Sequence, residues 1–325
     1  MKATEQSEKK IFKKQMNHMA GGIILYTILS FGIILLDMFV KAMLTIIHTA
    51  NEAEQDRLLD ELIAQLEKSG TSSAIAAVVG VLALSFYFRR TVIPKELFVK
   101  NNSMKLGVFG QLLCVFTGIQ LVAWGTGELM EKAFHLFGYS IMSSMEAASA
   151  DSETISMFLY ASIVGPIAEE LVYRGFVLRT LQRYGKVFAI LVSSILFAFM
   201  HANLPQAVLA FMTGLVLGYA AMEYSILWSM LLHILNNGVF GELLSEAISG
   251  FTPKIQKQLY MYMMTVCFGL GVIVLWKKRK EMKEYIKKYR TKKRKYVYAF
   301  TSIGIVLFIV VELLAAVNDM VRQTV

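Results

Sequence analysis

Apolar residues along this chain recur in blocks longer than a half-buried soluble helix needs. Stretches of roughly 17 to 25 apolar residues, the length that crosses hydrocarbon, occur near 19–46, 73–88, 105–125, 154–182, 186–203, 205–222, 225–241, 256–276 and 297–317. The pattern predicts an all-α polytopic membrane protein, a bundle of about eight to nine transmembrane helices. The first block follows a lysine-rich segment (Lys9, Lys10, Lys13, Lys14) but lacks a small-residue cleavage site and is too long for a signal-peptide core. It is read as a retained anchor. Between the first two blocks, "EAEQDRLLDELIAQLEKSG" places Leu58, Leu59, Leu62, Ile63 and Leu66 at helical spacing and ends on glycine. This predicts an amphipathic helix at the outer surface.

Composition agrees with that solvent. Hydrophobic residues make up 56%, charged residues only 18%, and the mean hydropathy is +0.53, values outside the soluble range. Four prolines permit long uninterrupted helices. Cys114 and Cys267 lie in separate apolar blocks and read as buried, inert thiols rather than halves of a disulfide. Most of the net charge of +9 comes from "KKRKEMKEYIKKYRTKKRKY" at 277–296. A lysine run wedged between two spans is topogenic and binds anionic lipid headgroups, so no nucleic-acid partner is expected. Basic and acidic loops alternate: basic before 19, acidic at 51–68, basic at Arg89, Arg90, Lys95 and Lys100, acidic at 126–153, and basic again at Arg179, Arg183 and Lys186 and in 277–296. The expected protein is a multi-pass cell-membrane protein with its amino terminus cytoplasmic and, with nine spans, its carboxyl terminus outside.

No long repeat and no soluble catalytic module interrupts the spans, so any chemistry must come from ionisable groups at depth. Each of these costs several kcal/mol unless paired or hydrated. Asp37 and Lys41 in the first block are one turn apart and can satisfy each other. The candidates for chemistry are concentrated between 165 and 237: Glu169, Glu170, Arg174, His201, His233 and Asn237. Glu170 and Arg174 share a helix face, so the guanidinium can neutralise that carboxylate. Glu169 points about 100° away and has no arginine one turn off. It must find a partner on another helix, or hold a proton or a water. Carboxylates sharing a dry site divide into an acid and a base, which makes Glu169 the candidate general base. Gly165 and Pro166 loosen the helix one turn upstream, as expected where backbone lines a cavity. "FAFMH" sets Phe197 and His201 on one face, and "HILNN" does the same for His233 and Asn237. Such a set can polarise a water and donate hydrogen bonds to an oxyanion. Two imidazoles and a carboxylate also compose a zinc set with an open position. "GLVLG" gives Gly214 and Gly218 a small-residue face for close helix approach.

The ordered motifs "EELVYR", "FAFMH" and "HILNN" resemble the EExxxR, FxxxH and HxxxN motifs of the CPBP family, the CAAX-protease and bacteriocin-processing (Abi) intramembrane endopeptidases that include the type II CAAX prenyl endopeptidases. The likeness covers roughly 155–240, with no departure inside the three motifs. It implies Glu169 as the base activating water with His201, His233 with Asn237 as the oxyanion site, and Glu170 and Arg174 as supports of the helix geometry, with Phe197 beside them. It also implies no obligatory cofactor, although a divalent metal such as zinc, held by Glu169, His201 and His233, is the variant. The chain then divides into amino-terminal helices (1–150), a catalytic core (151–245) and carboxyl-terminal helices with the polybasic segment (246–325). Its expected partner is a peptide or membrane-protein substrate. Two other classes compete: a non-proteolytic partner of a sensor kinase or transporter, and a proton-coupled transporter, against which the absence of paired broken helices in two related halves counts.

Overall fold

A computed structural model describes residues 2–49, 51–90, 94–141, 152–318 and 320–322. The Lys95 side chain, the stretch 142–151 of the acidic loop and the expected domain boundary at 150/151 lie outside the described residues. Helices dominate: α1 (Lys2–His48), α2 (Glu52–Glu67), α3 (Thr71–Phe88), the short α4 (Pro94–Leu97), α5 (Leu106–His135), α6 (Ile155–Tyr184), α7 (Lys186–Phe199), α8 (Leu204–Glu223), α9 (226–248), α10 (Pro253–Tyr289), α11 (Lys293–Phe300) and α12 (Ile303–Asn318). A two-residue antiparallel ladder joins Tyr139–Ser140 to Val321–Arg322.

Six of these helices, α1, α3, α5, α6, α8 and α10, are long and apolar enough to cross a bilayer, and α11 with α12 makes a seventh if that pair, bent by 63°, counts as one span. That corrects the eight to nine expected, for a physical reason. The 186–203 block forms a helix of 14 residues, about 21 Å long against a hydrocarbon core of about 30 Å. It is apolar because nine of those residues are buried in protein. In α9 the apolar run Ile226–Ile234 is followed by Asn236, Asn237 and Glu242, which break its hydrocarbon character.

The segment 277–296 is also not the loop its charge suggested. It continues α10 to Tyr289, turns over Arg290–Lys292 and re-enters α11. The predicted amphipathic segment is α2, capped by Asn51, whose side chain accepts from the Ala53 amide at 3.0 Å. Leu58, Leu59, Leu62 and Leu66 are half-buried and Ile63 is exposed.

One end of the bundle gathers the basic segments. Arg294 pairs with Glu5, Lys13 donates to the Thr301 carbonyl at 2.7 Å, and Glu223 accepts from both Lys186 (2.7 Å) and Tyr285 (2.6 Å). An aromatic layer seals this end, with Phe12 against Tyr184 (4.7 Å), Phe188 (6.1 Å) and Tyr298 (6.3 Å) between ring centroids. The opposite end is tied by Lys68 to Glu153 at 2.6 Å and by Ser152 to Glu242. The main core lies between these layers, where Met16, Met19 and Ile23 of α1, Leu84 and Phe88 of α3, and Phe308 of α12 close on α6 and α7.

Helices α5 and α10 meet through glycine. A Cβ at Gly118 would come within 2.7 Å of the Phe268 Cα, and one at Gly271 within 3.2 Å of the Val115 Cα. This close seam brings Cys114 and Cys267 near each other, Cys114 beside Gly271 and Cys267 beside Gly118, a juxtaposition that residues 153 positions apart gave no sign of. The two thiols are therefore expected to be joined within one chain by the short bifunctional reagent dibromobimane, read as bimane fluorescence that Cys114→Ser or Cys267→Ser abolishes.

Candidate active site

Glu169 lies at mid-span, fourteen residues from Ile155 and fifteen from Tyr184 in α6, or about 21 Å from either end. Two turns of π-helix, Tyr160–Val164 and Leu171–Val177, flank the short α-helical piece Gly165–Glu170 that carries both carboxylates. Widened turns of this kind re-aim side chains and free carbonyls. Pro166 has no amide to give, and the carbonyl five residues before it, that of Ala161, accepts instead from the Asn237 carboxamide at 3.2 Å. In α register the carbonyl orphaned by Pro166 would be that of Ser162. The π register moves it to Ala161 and brings Asn237 with it. A third π segment, Leu235–Leu243, follows His233 in α9 and holds Asn236, Asn237 and Gly238. Gly238 lets α9 approach Ser162, since a Cβ there would sit 3.2 Å from the serine Cβ.

Glu170 and Arg174 are wholly buried and 3.1 Å apart. The contact is ionic rather than a well-aligned hydrogen bond, because none of the three guanidinium nitrogens has a hydrogen-bond partner. The guanidinium carbon instead lies 4.0 Å from the centre of the Phe197 ring. Gly214 of α8 leaves space for the group, as a Cβ there would come within 3.3 Å of Arg174 Nη2. The other lone pairs of Glu170 are met by His233 Nδ1 at 3.1 Å and by the Ser229 hydroxyl, which also lies 3.0 Å from the Leu217 carbonyl. Glu170 is thus consumed by structure.

Glu169 is not. It keeps 22% of its side chain exposed and faces His233 Nε2 at 3.8 Å, too far for a hydrogen bond. Because Glu170 can only accept from Nδ1, the neutral form of His233 presents a lone pair on Nε2 toward Glu169.

His201 stands at the tip of the four-residue turn between α7 and α8. The shortness of α7 delivers it there, about 22 Å from the basic end at Lys186. Ala202 beyond it adopts φ +47°, the left-handed region that costs a non-glycine residue about 1–2 kcal/mol, and Asn203 caps α8 through the Gln206 amide at 3.0 Å. The Phe197 carbonyl accepts from His201 Nδ1 at 2.9 Å, leaving Nε2 as an acceptor. The Phe197 ring stands perpendicular to both imidazoles, 5.0 Å from His201 and 6.0 Å from His233 between centroids.

Six of the seven residues singled out in the sequence are therefore linked by contacts through Phe197, Glu170 and His233, while Asn237, one turn past His233, bonds the Ala161 carbonyl; no hydrogen bond among the described residues joins Glu169 to His201. Among the described residues no three His, Cys, Asp or Glu group closely enough to hold a metal ion. Three participants were missed. Ser229 was readable as the residue one turn before His233. Asn236, which donates to Asn237 at 3.0 Å and accepts from Gln120 at 2.5 Å, adjoins a motif position, whereas Gln120 comes from α5 and only the fold brings it in.

Removing one member of a buried ion pair strands the other charge. Arg174→Met is expected to destabilise the protein by about 3–5 kcal/mol, and Glu170→Met on top of it to restore much of the loss, as measured by thermal unfolding of the detergent-purified protein in a double-mutant cycle.

Residues 151–239, the segment that carries this geometry, match the family described as Type II CAAX prenyl endopeptidase Rce1-like. The chain is also 24% identical over 192 residues to a Bacillus subtilis protein named "Putative membrane peptidase YdiL", covering 58% of this chain and 78% of that protein. No solved structure matches it significantly. The chain is a multi-pass membrane protein whose core, residues 151–239, is similar to the type II CAAX prenyl endopeptidase Rce1-like family.

Proposed function

We propose that this protein is an intramembrane endopeptidase that hydrolyses peptide bonds of small peptides or membrane-associated proteins with water as nucleophile, the chemistry of peptide maturation, bacteriocin processing or immunity. The observation that carries the reading is the asymmetry of the two glutamates. Glu170 is bound by Arg174, His233 and Ser229, whereas Glu169, the residue before it, is part-exposed, makes no hydrogen bond among the described residues and stands 3.8 Å from His233 Nε2.

In this reading a water beside Glu169 loses a proton to that carboxylate as its oxygen attacks the scissile carbonyl, and Nε2 of His201 helps to orient it. The carbonyl becomes a tetrahedral oxyanion. The second N–H of the Asn237 carboxamide and Nε2 of a doubly protonated His233 stabilise that charge. Glu169 then returns its proton to the leaving amine, the C–N bond breaks, and carboxylate and amine leave. Glu170 and Arg174 act as positioning residues, fixing His233 through Nδ1. The reaction needs no obligatory metal. The basic end of the bundle faces the cytoplasm by the positive-inside rule, with the polybasic face of α10 and α11 against anionic headgroups.

Glu169→Gln keeps the shape of the side chain and removes the base. Purified wild-type protein is expected to cleave candidate peptide precursors, Glu169→Gln to cut them at least roughly 100-fold more slowly, and a strong chelator to leave wild-type cleavage intact. Turnover that survives the substitution sinks the assignment of the base. Turnover abolished by the chelator and restored by zinc would replace it with a metal mechanism.

A further inference from the structure

Three carboxyls are buried among the described residues: Glu131, Glu170 and Glu312. Two are satisfied in full. Glu131 accepts from His135 (2.6 Å), Ser140 (2.7 Å) and the Ile141 amide (2.8 Å), and Glu170 has Arg174, His233 and Ser229. Glu312 has nothing. It is 7% exposed, it sits in the otherwise apolar α12, and no described residue gives it a hydrogen bond or an ion pair. Burying a carboxyl without compensation costs several kcal/mol, and the same bundle shows at Glu170 what compensation looks like. The resemblance carried by the three motifs does not reach this residue, which lies beyond the matched segment 151–239.

Its placement gives the reason. Ile305, Phe308, Glu312 and Ala316 form the buried stripe of α12, and the first two pack into the core that holds Tyr173 and Phe197. Glu312 therefore faces inward. Its depth follows from counting rise along each helix from the aromatic layer at the basic end. Gly304 donates its amide to Asn17 at 3.0 Å; Asn17 is five residues past Phe12 and Glu312 eight past Gly304, together about 20 Å. Tyr26 is fourteen residues past Phe12, His201 thirteen past Phe188 and Glu169 fifteen before Tyr184, each again about 20 Å. The four side chains share one level. Tyr173, one turn past Glu169 in α6, packs in the same core as Phe308, which is one turn before Glu312 on the buried stripe of α12.

We propose that Glu312 is a substrate subsite: it takes the guanidinium or ammonium of an arginine or lysine side chain in a membrane-inserted peptide whose scissile bond lies at Glu169, at the same depth. A basic side chain supplies the positive charge and N–H donors that this carboxyl lacks. A metal would need further ligands, which are not gathered there. The subsite rests on the proteolytic reading but is tested by binding, apart from turnover.

The experiment uses the full-length Glu169→Gln protein in detergent and two fluorescent apolar peptides, identical except for one arginine or its neutral isostere citrulline. The arginine peptide is expected to bind roughly tenfold tighter or better. Adding Glu312→Gln is expected to remove that preference while leaving the citrulline Kd unchanged. Equal affinities with Glu312 intact, no binding of either peptide, or an arginine preference that persists in Glu312→Gln each overturn the proposal. The first two need no Glu312 variant, so a folding defect cannot mimic them. A wild-type protein that discriminates arginine through Glu312 and yet cleaves nothing would refute proteolysis and leave the subsite standing.

Discussion

The Glu170–Arg174 pair sits at the middle of a membrane-spanning helix, fully removed from solvent, where a lone charge is most costly. A pair there holds only while its surroundings keep it neutral and supplied with donors and acceptors. The neighbouring elements are arranged to that end. The Phe197 ring of α7 lies against the guanidinium, Gly214 of α8 leaves room for it, and Ser229 and His233 of α9 spend their donors on the carboxylate. Three helices are thus indexed to one ion pair. The catalytic candidates inherit their positions from that indexing, because His233 is turned by its bond to Glu170 and His201 shares the Phe197 ring.

Departures from α geometry do the remaining alignment. An unbroken α-helix has no spare main-chain acceptor at mid-span. The π turns around Pro166 expose the Ala161 carbonyl, and the π segment of α9 places Asn237 on it and carries Asn236 toward Gln120 of α5. This polar string crosses three helices inside an apolar bundle, where hydrogen bonds have few competitors. Its close approach relies on Gly238 against Ser162.

Among the described residues, Glu169 and Glu312 are carboxyls held at mid-depth without a hydrogen bond, and they lie at one level on different helices. Satisfied acids elsewhere in the chain, such as Glu131 and Glu223, tie ends and loops together. An acid held at mid-depth without a partner does no such tying, and the stability forgone there is the usual accompaniment of a functional site.

Much of this was legible in the sequence because hydrocarbon imposes simple rules. Long apolar blocks must be helices, charges at depth must be paired or used, and one-turn spacing must share a face. Those rules found Glu169, Glu170, Arg174, Phe197, His201, His233 and Asn237 and separated the two glutamates. Glu312, a lone acid in an apolar block, falls under the same rule, but no motif and no one-turn partner marks it. Hydropathy could not tell a helix buried in protein from one facing lipid, since both are apolar, so the short α7 and the interrupted α9 inflated the count of spans. Nor could it foresee that the basic run is helical, that Cys114 meets Cys267, or that Gln120 meets Asn236, because contacts between distant helices depend on crossing and register rather than on spacing along one chain. The sequence by itself determined which groups had to be reckoned with inside the membrane. Only the tertiary structure decided which of them meet, because close glycine contacts, π turns and a helix too short to span set the depth and rotation of each one.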